Sequence, residues 1–162
     1  HCVYDVAHNL ARLQNFKIDG KKKQLLVHRK GSTFCAGPSN DETPEYCREA
    51  GVGSPLILGG SMETGSALLV GTDKADQETF SSTAHGSGRI QSRSQAKREL
   101  TIEHIKKELA ERDILVETLS NKALVEEAPE AYKDVDEVVC VSHEAGIGNL
   151  VARLVPLAVM KG

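Results

Sequence analysis

Apolar periodicity changes its spacing several times along this chain without settling into a strict strand–helix rhythm. That pattern argues for an α+β fold, a mixed sheet with surrounding helices, over a doubly wound parallel sheet. Val3, Val6, Ala7, Leu10 and Leu13 fall near a 3.6-residue period and predict a helix over 3–16. Asp19-Gly20 marks a turn, and Lys23 to Arg29 alternates as a strand. Phe34 to Ser54 reads as loop, rich in Gly and Pro, and a loop of that length is usually functional or inserted. Short strands are expected at 55–58, 67–70 and 114–118, with Gly71-Thr72-Asp73 turning the chain. Thr101 caps a helix whose stripe is Ile102, Ile105 and Leu109. Asp134 with Glu137 has the spacing of a capping box for a helix ending near Gly146. Leu154 to Met160 is expected as a last strand, at an edge because Pro156 cannot donate to a ladder.

The chain has 162 residues, enough for one domain with a real core. Hydrophobic residues at 40% and charged residues at 27% place it among globular rather than disordered sequences. Aromatics at 4% with no Trp disfavour a stacking platform for single-stranded nucleic acid. The net charge of −3 means that any polyanion must be held by a local basic patch. No apolar run approaches the ~18 residues of a membrane span. Cys2, Cys35, Cys47 and Cys140 lack C-x-x-C spacing and read as reduced thiols, the usage of a cytoplasmic (or, in a eukaryote, nuclear) protein. Opening at His1-Cys2, the chain reads as a piece of a longer protein.

The chemistry concentrates in Ser81-Ser82-Thr83-Ala84-His85-Gly86-Ser87-Gly88-Arg89 and the basic run that follows, with Arg93, Lys97 and Arg98. Gly86 and Gly88 let a phosphate approach backbone N–H groups, the hydroxyls add hydrogen bonds, and the guanidinium groups add bidentate positive charge. Near neutrality an ordinary imidazole is largely uncharged, so His85 can serve as nucleophile or base. The same stretch also reads as a Gly-rich surface turn. His8 fits either a hydrogen-bonded core histidine or a metal ligand. His28-Arg29-Lys30-Gly31 reads as a solvated charge run or a phosphate contact, and Glu126 to Glu130 as a solvated acidic loop. Gly59-Gly60-Ser61-Met62 follows a strand, where a ligand's phosphate often rests, although a Rossmann fingerprint is absent.

Six segments in order resemble the C-terminal part of the RtcB family of RNA-splicing ligases. They are Asp5-Val6-Ala7-His8-Asn9, Val27-His28-Arg29-Lys30-Gly31, Gly60-Ser61-Met62, His85-Gly86-Ser87-Gly88-Arg89, Glu126 through Lys133, and Val159-Met160-Lys161-Gly162. The resemblance implies that 1–162 is the C-terminal part of a single ligase domain. It implies a GTP- and Mn²⁺-dependent enzyme of tRNA splicing and RNA repair. That enzyme joins RNA 3′-phosphate or 2′,3′-cyclic phosphate ends to 5′-hydroxyl ends, with an activating protein partner possible. On the same ground His85 is the nucleophile that carries GMP, and His8 is a manganese ligand. Asn9, Gly59, Gly60, Ser61, Met62, Ser66, Gly86, Ser87 and Gly88 surround the nucleotide, and Tyr132 and Lys161 meet the guanine. Arg89 and Arg93 fall where RNA phosphate would lie.

The chain departs from the family pattern in places. Phe34-Cys35 stands where Thr-Arg-Ala is customary, Ala67 replaces a tyrosine, and the loop from Phe34 to Tyr46 diverges. Glu63 replaces a glycine and is expected to weaken nucleotide binding by setting a carboxylate near phosphates. The resemblance puts the other metal ligands (an aspartate, a cysteine and two histidines) upstream of His1. The competing reading is a module that binds a guanine nucleotide or RNA ends without catalysis.

Overall fold

A computed structural model describes residues 4–161, and the α+β expectation holds. Strands β1 (Asn9–Ile18) and β2 (Lys21–Lys30) form an antiparallel hairpin. Its two-residue turn has Asp19 at φ 52° and Gly20 at φ 75°, the left-handed pair that matches strand twist. The helix expected over 3–16 is therefore a strand from Asn9 onward, and Val3 lies outside the described residues. The reason lies in which side chains turn inward. Gln14 and Phe16 are buried while Leu13 points out at 62% exposure, so polar residues occupy the inner face and hide the period of two. Glu42 makes that face tolerable by accepting from Gln14 Nε2 at 2.7 Å and pairing with Arg12.

β3 (Ser32–Phe34) follows, and then a loop broken by the short helix α1 (Glu45–Glu49). β4 (Pro55–Gly59) and β5 (Ser66–Gly71) come next. At Gly71-Thr72-Asp73 the chain turns directly into α2 (Asp73–Glu78), with the Thr72 hydroxyl accepting from Ala75 N. β6 (Ser82–Ala84), α3 (Arg93–Glu99) and α4 (Ile102–Glu111) precede β7 (Leu115–Thr118). Beyond β7 lie α5 (Asn121–Glu126), a 3-10 turn at Pro129–Ala131 and α6 (Val135–Glu144). The predicted loop at 126–130 is thus a helix end and a tight turn. Asp134 caps α6 through Asp136 N, not through the N–H of Glu137 that a capping box requires. The single last strand expected at 154–160 is two, β8 (Gly148–Leu154) and β9 (Ala158–Lys161), parted at Pro156.

Parallel and antiparallel pairings occupy separate small sheets: β1-β2, β3-β6 and β4-β5-β8 are antiparallel, and β7-β9 is parallel. Two apolar clusters support them. Leu56, Leu58, Ala67 and Leu69 from β4 and β5 pack with Val135 and Val139 of α6, and with Cys35 and Ile147. Met62, Ile105, Leu109, Ile114, Leu124 and Val125 form the second cluster, under α4 and α5. Each fully buried leucine contributes about 1.5–3 kcal/mol of transfer free energy. Phe34 and Cys35 belong to this interior. The Cys35 thiol donates to Ile147 O at 3.3 Å, and burial, with the Asp76 charge behind it, pushes its pKa up to about 12. Among the described residues no helix is long and apolar enough to cross a membrane.

Candidate nucleotide and phosphoryl-transfer site

His85 follows β6 directly, and its position is set by main-chain bonds on both sides. Its N–H donates to Gly31 O at 3.2 Å, just before β3. Its carbonyl accepts from Gly59 N at 2.9 Å, and Gly59 O accepts from Ser87 N at 2.8 Å. The Gly59–Gly86 bridge brings the two loops so close that a Cβ on Gly86 would lie 3.0 Å from Gly59 O. The half-buried His85 ring stacks on His8, centroids 3.9 Å apart and planes within 5°. Burial first, then the neighbouring His8 charge, holds the His85 pKa below the ordinary histidine value. This favours the neutral imidazole, which carries a ring-nitrogen lone pair. The Ser87 hydroxyl is buried and has no hydrogen-bond partner among the described residues.

One residue beyond Gly59 begins a cleft of about 310 Å³ whose lining includes Met62 and Val159 of the second apolar cluster. Its first wall is the turn from Gly60 to Ser66. Gly60 N donates to Gly65 O at 2.8 Å and Ser61 N to Thr64 Oγ1 at 2.9 Å. The Ser61 hydroxyl accepts from the N–H groups of Glu63 and Thr64, both at 3.2 Å. The facing wall is Glu127 and Tyr132, and Lys161 reaches the cleft from β9. Pairing with β7, and Leu119 N donating to Lys161 O at 3.1 Å, make Lys161 part of a strand, not a frayed end.

Charge organises that second wall. The Tyr132 hydroxyl donates a short hydrogen bond to Glu127 and accepts from Arg89 Nη1 at 3.1 Å. Arg89 also lies over the Tyr132 ring, 4.9 Å from its centroid, and donates to Glu126 O at 2.6 Å. Burial, then the bond to Glu127, raises the Tyr132 pKa. Arg93 pairs with Glu126 and Glu127, both at 3.4 Å, and Lys97 pairs with Glu126. The hydrogen bond from Lys97 is the main cause that lowers the Glu126 pKa.

Of the residues singled out by sequence, Gly60, Ser61, Met62, Ser66, Tyr132 and Lys161 share the cleft. Gly59, His85, Gly86 and Ser87 adjoin it along the bonded backbone, and Gly88 O accepts from Lys133 N at 2.9 Å, beside Tyr132. Asn9 is exposed at the start of β1 and does not line the cleft. Arg89 and Arg93 already have carboxylate partners. Glu63 also does not line the cleft; it turns toward Arg112 and pairs with it. Sequence reasoning missed Glu127, because an acidic run gives no sign that one member faces a tyrosine five residues on. For a metal, the structure offers His8 stacked on His85. No group of three His, Cys, Asp or Glu side chains converges among the described residues, so these residues alone do not make a metal centre.

Compared with known proteins, residues 1–162 match the family described as tRNA-splicing ligase RtcB. The tRNA-splicing ligase RtcB of Archaeoglobus fulgidus is 54% identical over 160 residues, 99% of this chain and 33% of that protein. Those of Pyrococcus abyssi and Thermococcus kodakarensis are 48% and 47% identical over the same 99% of this chain, covering 17% and 33% of their own lengths. This chain thus spans a third or less of the length of these relatives. The order of the motifs and the match over every residue lead to one conclusion: the chain belongs to the tRNA-splicing ligase RtcB family.

Proposed function

We propose that this chain is the nucleotide-capturing part of a GTP-dependent RNA ligase, with His85 as the nucleophile. The observation that carries the reading is the continuity between a neutral, backbone-fixed imidazole and a cleft lined by Ser61, Tyr132 and Lys161. A nitrogen of His85 forms a bond to the α-phosphorus of GTP as the bond to the β-phosphate oxygen breaks. Pyrophosphate leaves and the imidazole sheds its N–H proton. An oxygen of an RNA 3′-phosphate then takes the phosphorus, breaking the P–N bond, and the imidazole recovers a proton. Finally an RNA 5′-hydroxyl attacks the activated 3′-phosphate, loses its proton and displaces GMP. A 2′,3′-cyclic phosphate end is first opened by water to the 3′-phosphate.

In this reading Tyr132 packs against the guanine and Lys161 donates to it, while Gly86 and Gly88 leave room for phosphate beside backbone N–H groups. The Ser87 hydroxyl, which has no hydrogen-bond partner among the described residues, is assigned to the same phosphate. Asn9 approaches the guanylate from β1. Manganese, held by His8 together with donors outside the described residues, supplies charge neutralisation at the phosphoryl group. RNA is the macromolecular substrate, reached through Arg89 and Arg93.

Labelled GTP and Mn²⁺ given to the full-length protein, followed by mapping of the acid-labile adduct, test this. The adduct is expected on His85 and absent in His85→Ala. Label that is bound but lost on denaturation identifies a non-catalytic nucleotide-binding module. An adduct on His28, His104 or His143 overturns the assignment.

A further inference from the structure

The segment that delivers His85 is strained. Phe80 and Ser81 both have φ 53°, consecutive left-handed residues without a glycine. Each costs on the order of 1 kcal/mol or more and persists only where its surroundings over-determine it. Cys35 N donates to Ser81 O at 2.8 Å and the Ser81 hydroxyl donates to Asp76, and a further anchor is a side chain the sequence presents as one more surface cation. Arg29, in β2, is 1% exposed. Its Nη2 donates to Phe80 O at 2.7 Å and to Ser81 O at 3.2 Å, and its Nε donates to Ser82 Oγ at 2.8 Å. The Phe34 ring lies 5.3 Å from the guanidinium carbon. One planar fork thus holds both strained carbonyls and the first residue of β6.

The same strand end reaches His85 a second time. Two residues after Arg29, Gly31 O accepts the His85 N–H at 3.2 Å, and between these points Ser32 pairs with Ala84. The β2–β3 junction therefore grips the His85 segment at both ends, through the Arg29 side chain at its start and the Gly31 carbonyl at its end.

We propose that Arg29 is a positioning residue for His85, clamping the Phe80–Ser82 turn so that the imidazole is presented at the reacting phosphorus. This rests on the reading of His85 as nucleophile. Arg29 touches no residue of the nucleotide cleft, so its loss acts on the chemical step and not on GTP capture. A lysine keeps the charge but cannot span the three acceptors at once.

Single-turnover guanylylation of the full-length protein, followed against GTP concentration in wild type, Arg29→Met and Arg29→Lys, tests the proposal. In Arg29→Met the rate constant of the labelled fraction is expected to fall about ten- to a hundredfold. Half-saturating GTP is expected to move by less than about threefold, and Arg29→Lys to lie between. If Arg29→Met fails to fold, Ser82→Ala, which removes the Nε acceptor together with the hydroxyl's own bond to Phe80 O at 3.0 Å, takes its place with a fall of about threefold or more. A wild-type rate constant with only a smaller labelled amplitude would mean that Arg29 merely stabilises the fold, and would overturn the proposal. An equal loss of rate and GTP affinity would overturn it as well. Failure of the wild-type protein to form the adduct would instead sink the reading of His85, so the two failures are separable.

Discussion

The two walls of the cleft are built by different physics. The glycine wall, from Gly59 to Ser66 with His85 to Ser87 behind it, is joined by main-chain bonds and contacts too close for a side chain. The opposite wall, Arg89 with Glu127 and Tyr132, is joined by a short hydrogen bond, a ring contact and ion pairs. Main-chain geometry is indifferent to salt and yields only to a change of shape. Ion pairs are screened and titrate, but tolerate substitution more cheaply. The difference teaches that a site can fix one wall by packing while leaving the other adjustable by charge. Substitutions on each wall should therefore fail in different ways.

The largest effect is expected on the glycine wall. A Cβ at Gly60 would meet Thr64 Oγ1 at 2.5 Å, Gly65 O at 2.6 Å and Val135 Cβ at 3.0 Å. One of these is backbone and one belongs to the buried core, so the turn must open. Gly60→Ala should cost about 1–3 kcal/mol in thermal or denaturant unfolding and weaken GTP binding with it. At neighbouring Gly59 a Cβ meets only His85 O at 3.8 Å, an ordinary contact. Gly59→Ala should therefore unfold close to wild type. Equal losses at both positions would show that the wall is not set by close approach.

Much of this wall was legible in the sequence, because strand, glycines and small hydroxyls are local signals. The strands expected at 55–58 and 67–70 came from short apolar runs and extend to 55–59 and 66–71, and the glycines after the first marked the turn. β1 was illegible for the opposite reason: its inward Gln14 donates to Glu42, a partner 28 residues away that no local period reveals. Arg29 and Glu127 were hidden in the same way. A buried cation and a buried-side carboxylate look in sequence like any solvated charge run until their distant partners are known. The resemblance supplied Tyr132 and Lys161, which no periodicity would have brought to one cleft. The structure added what ties Tyr132 to Glu127.

The charged wall should respond more gently. Glu127→Gln removes the ion-pair partner of Arg89 and one of the two carboxylate partners of Arg93 but keeps a neutral acceptor for the Tyr132 hydroxyl. Global stability should change by no more than about 1 kcal/mol. The freed Arg89 and Arg93 make the site more cationic, so GTP binding should change by less than about tenfold and depend more on salt than in wild type. A titration separates this from a packing effect. The Tyr132 phenol lies above its ordinary value of 10.0, so its contribution to stability is complete below that pH and is lost as pH rises toward the raised value. Glu127→Gln removes one cause of the increase, and the phenolate absorbance that vanishes in Tyr132→Phe should appear at lower pH. An unchanged midpoint would mean that burial alone sets the tyrosine, and that the wall is less electrostatic than its contacts imply.

The smallest effect is expected where the sequence suggested a large one. Glu63, in place of a glycine in the nucleotide turn, would by itself repel a triphosphate, by about 1–2 kcal/mol at several Å in an effective dielectric of ~20. Its carboxylate instead turns out of the cleft and pairs with Arg112. A paired charge presents a dipole, whose field decays faster than that of a lone carboxylate, and the salt of ordinary buffers screens what is left. The turn itself is held by Ser61 and Thr64, so glycine at 63 should leave Gly60 and Ser61 in place. Glu63→Gly should therefore change GTP affinity by less than about twofold, with a calorimetric titration as the measurement. Arg112→Ala gives the sharper contrast: with its cation gone, Glu63 is an unanswered charge at the edge of the turn, and GTP should bind more weakly at low salt. The double substitution should return affinity to that of Glu63→Gly alone. Tighter binding in Glu63→Gly with Arg112 intact would mean that the carboxylate reaches the phosphates after all, and that the glycine wall is open to charge as well as to shape.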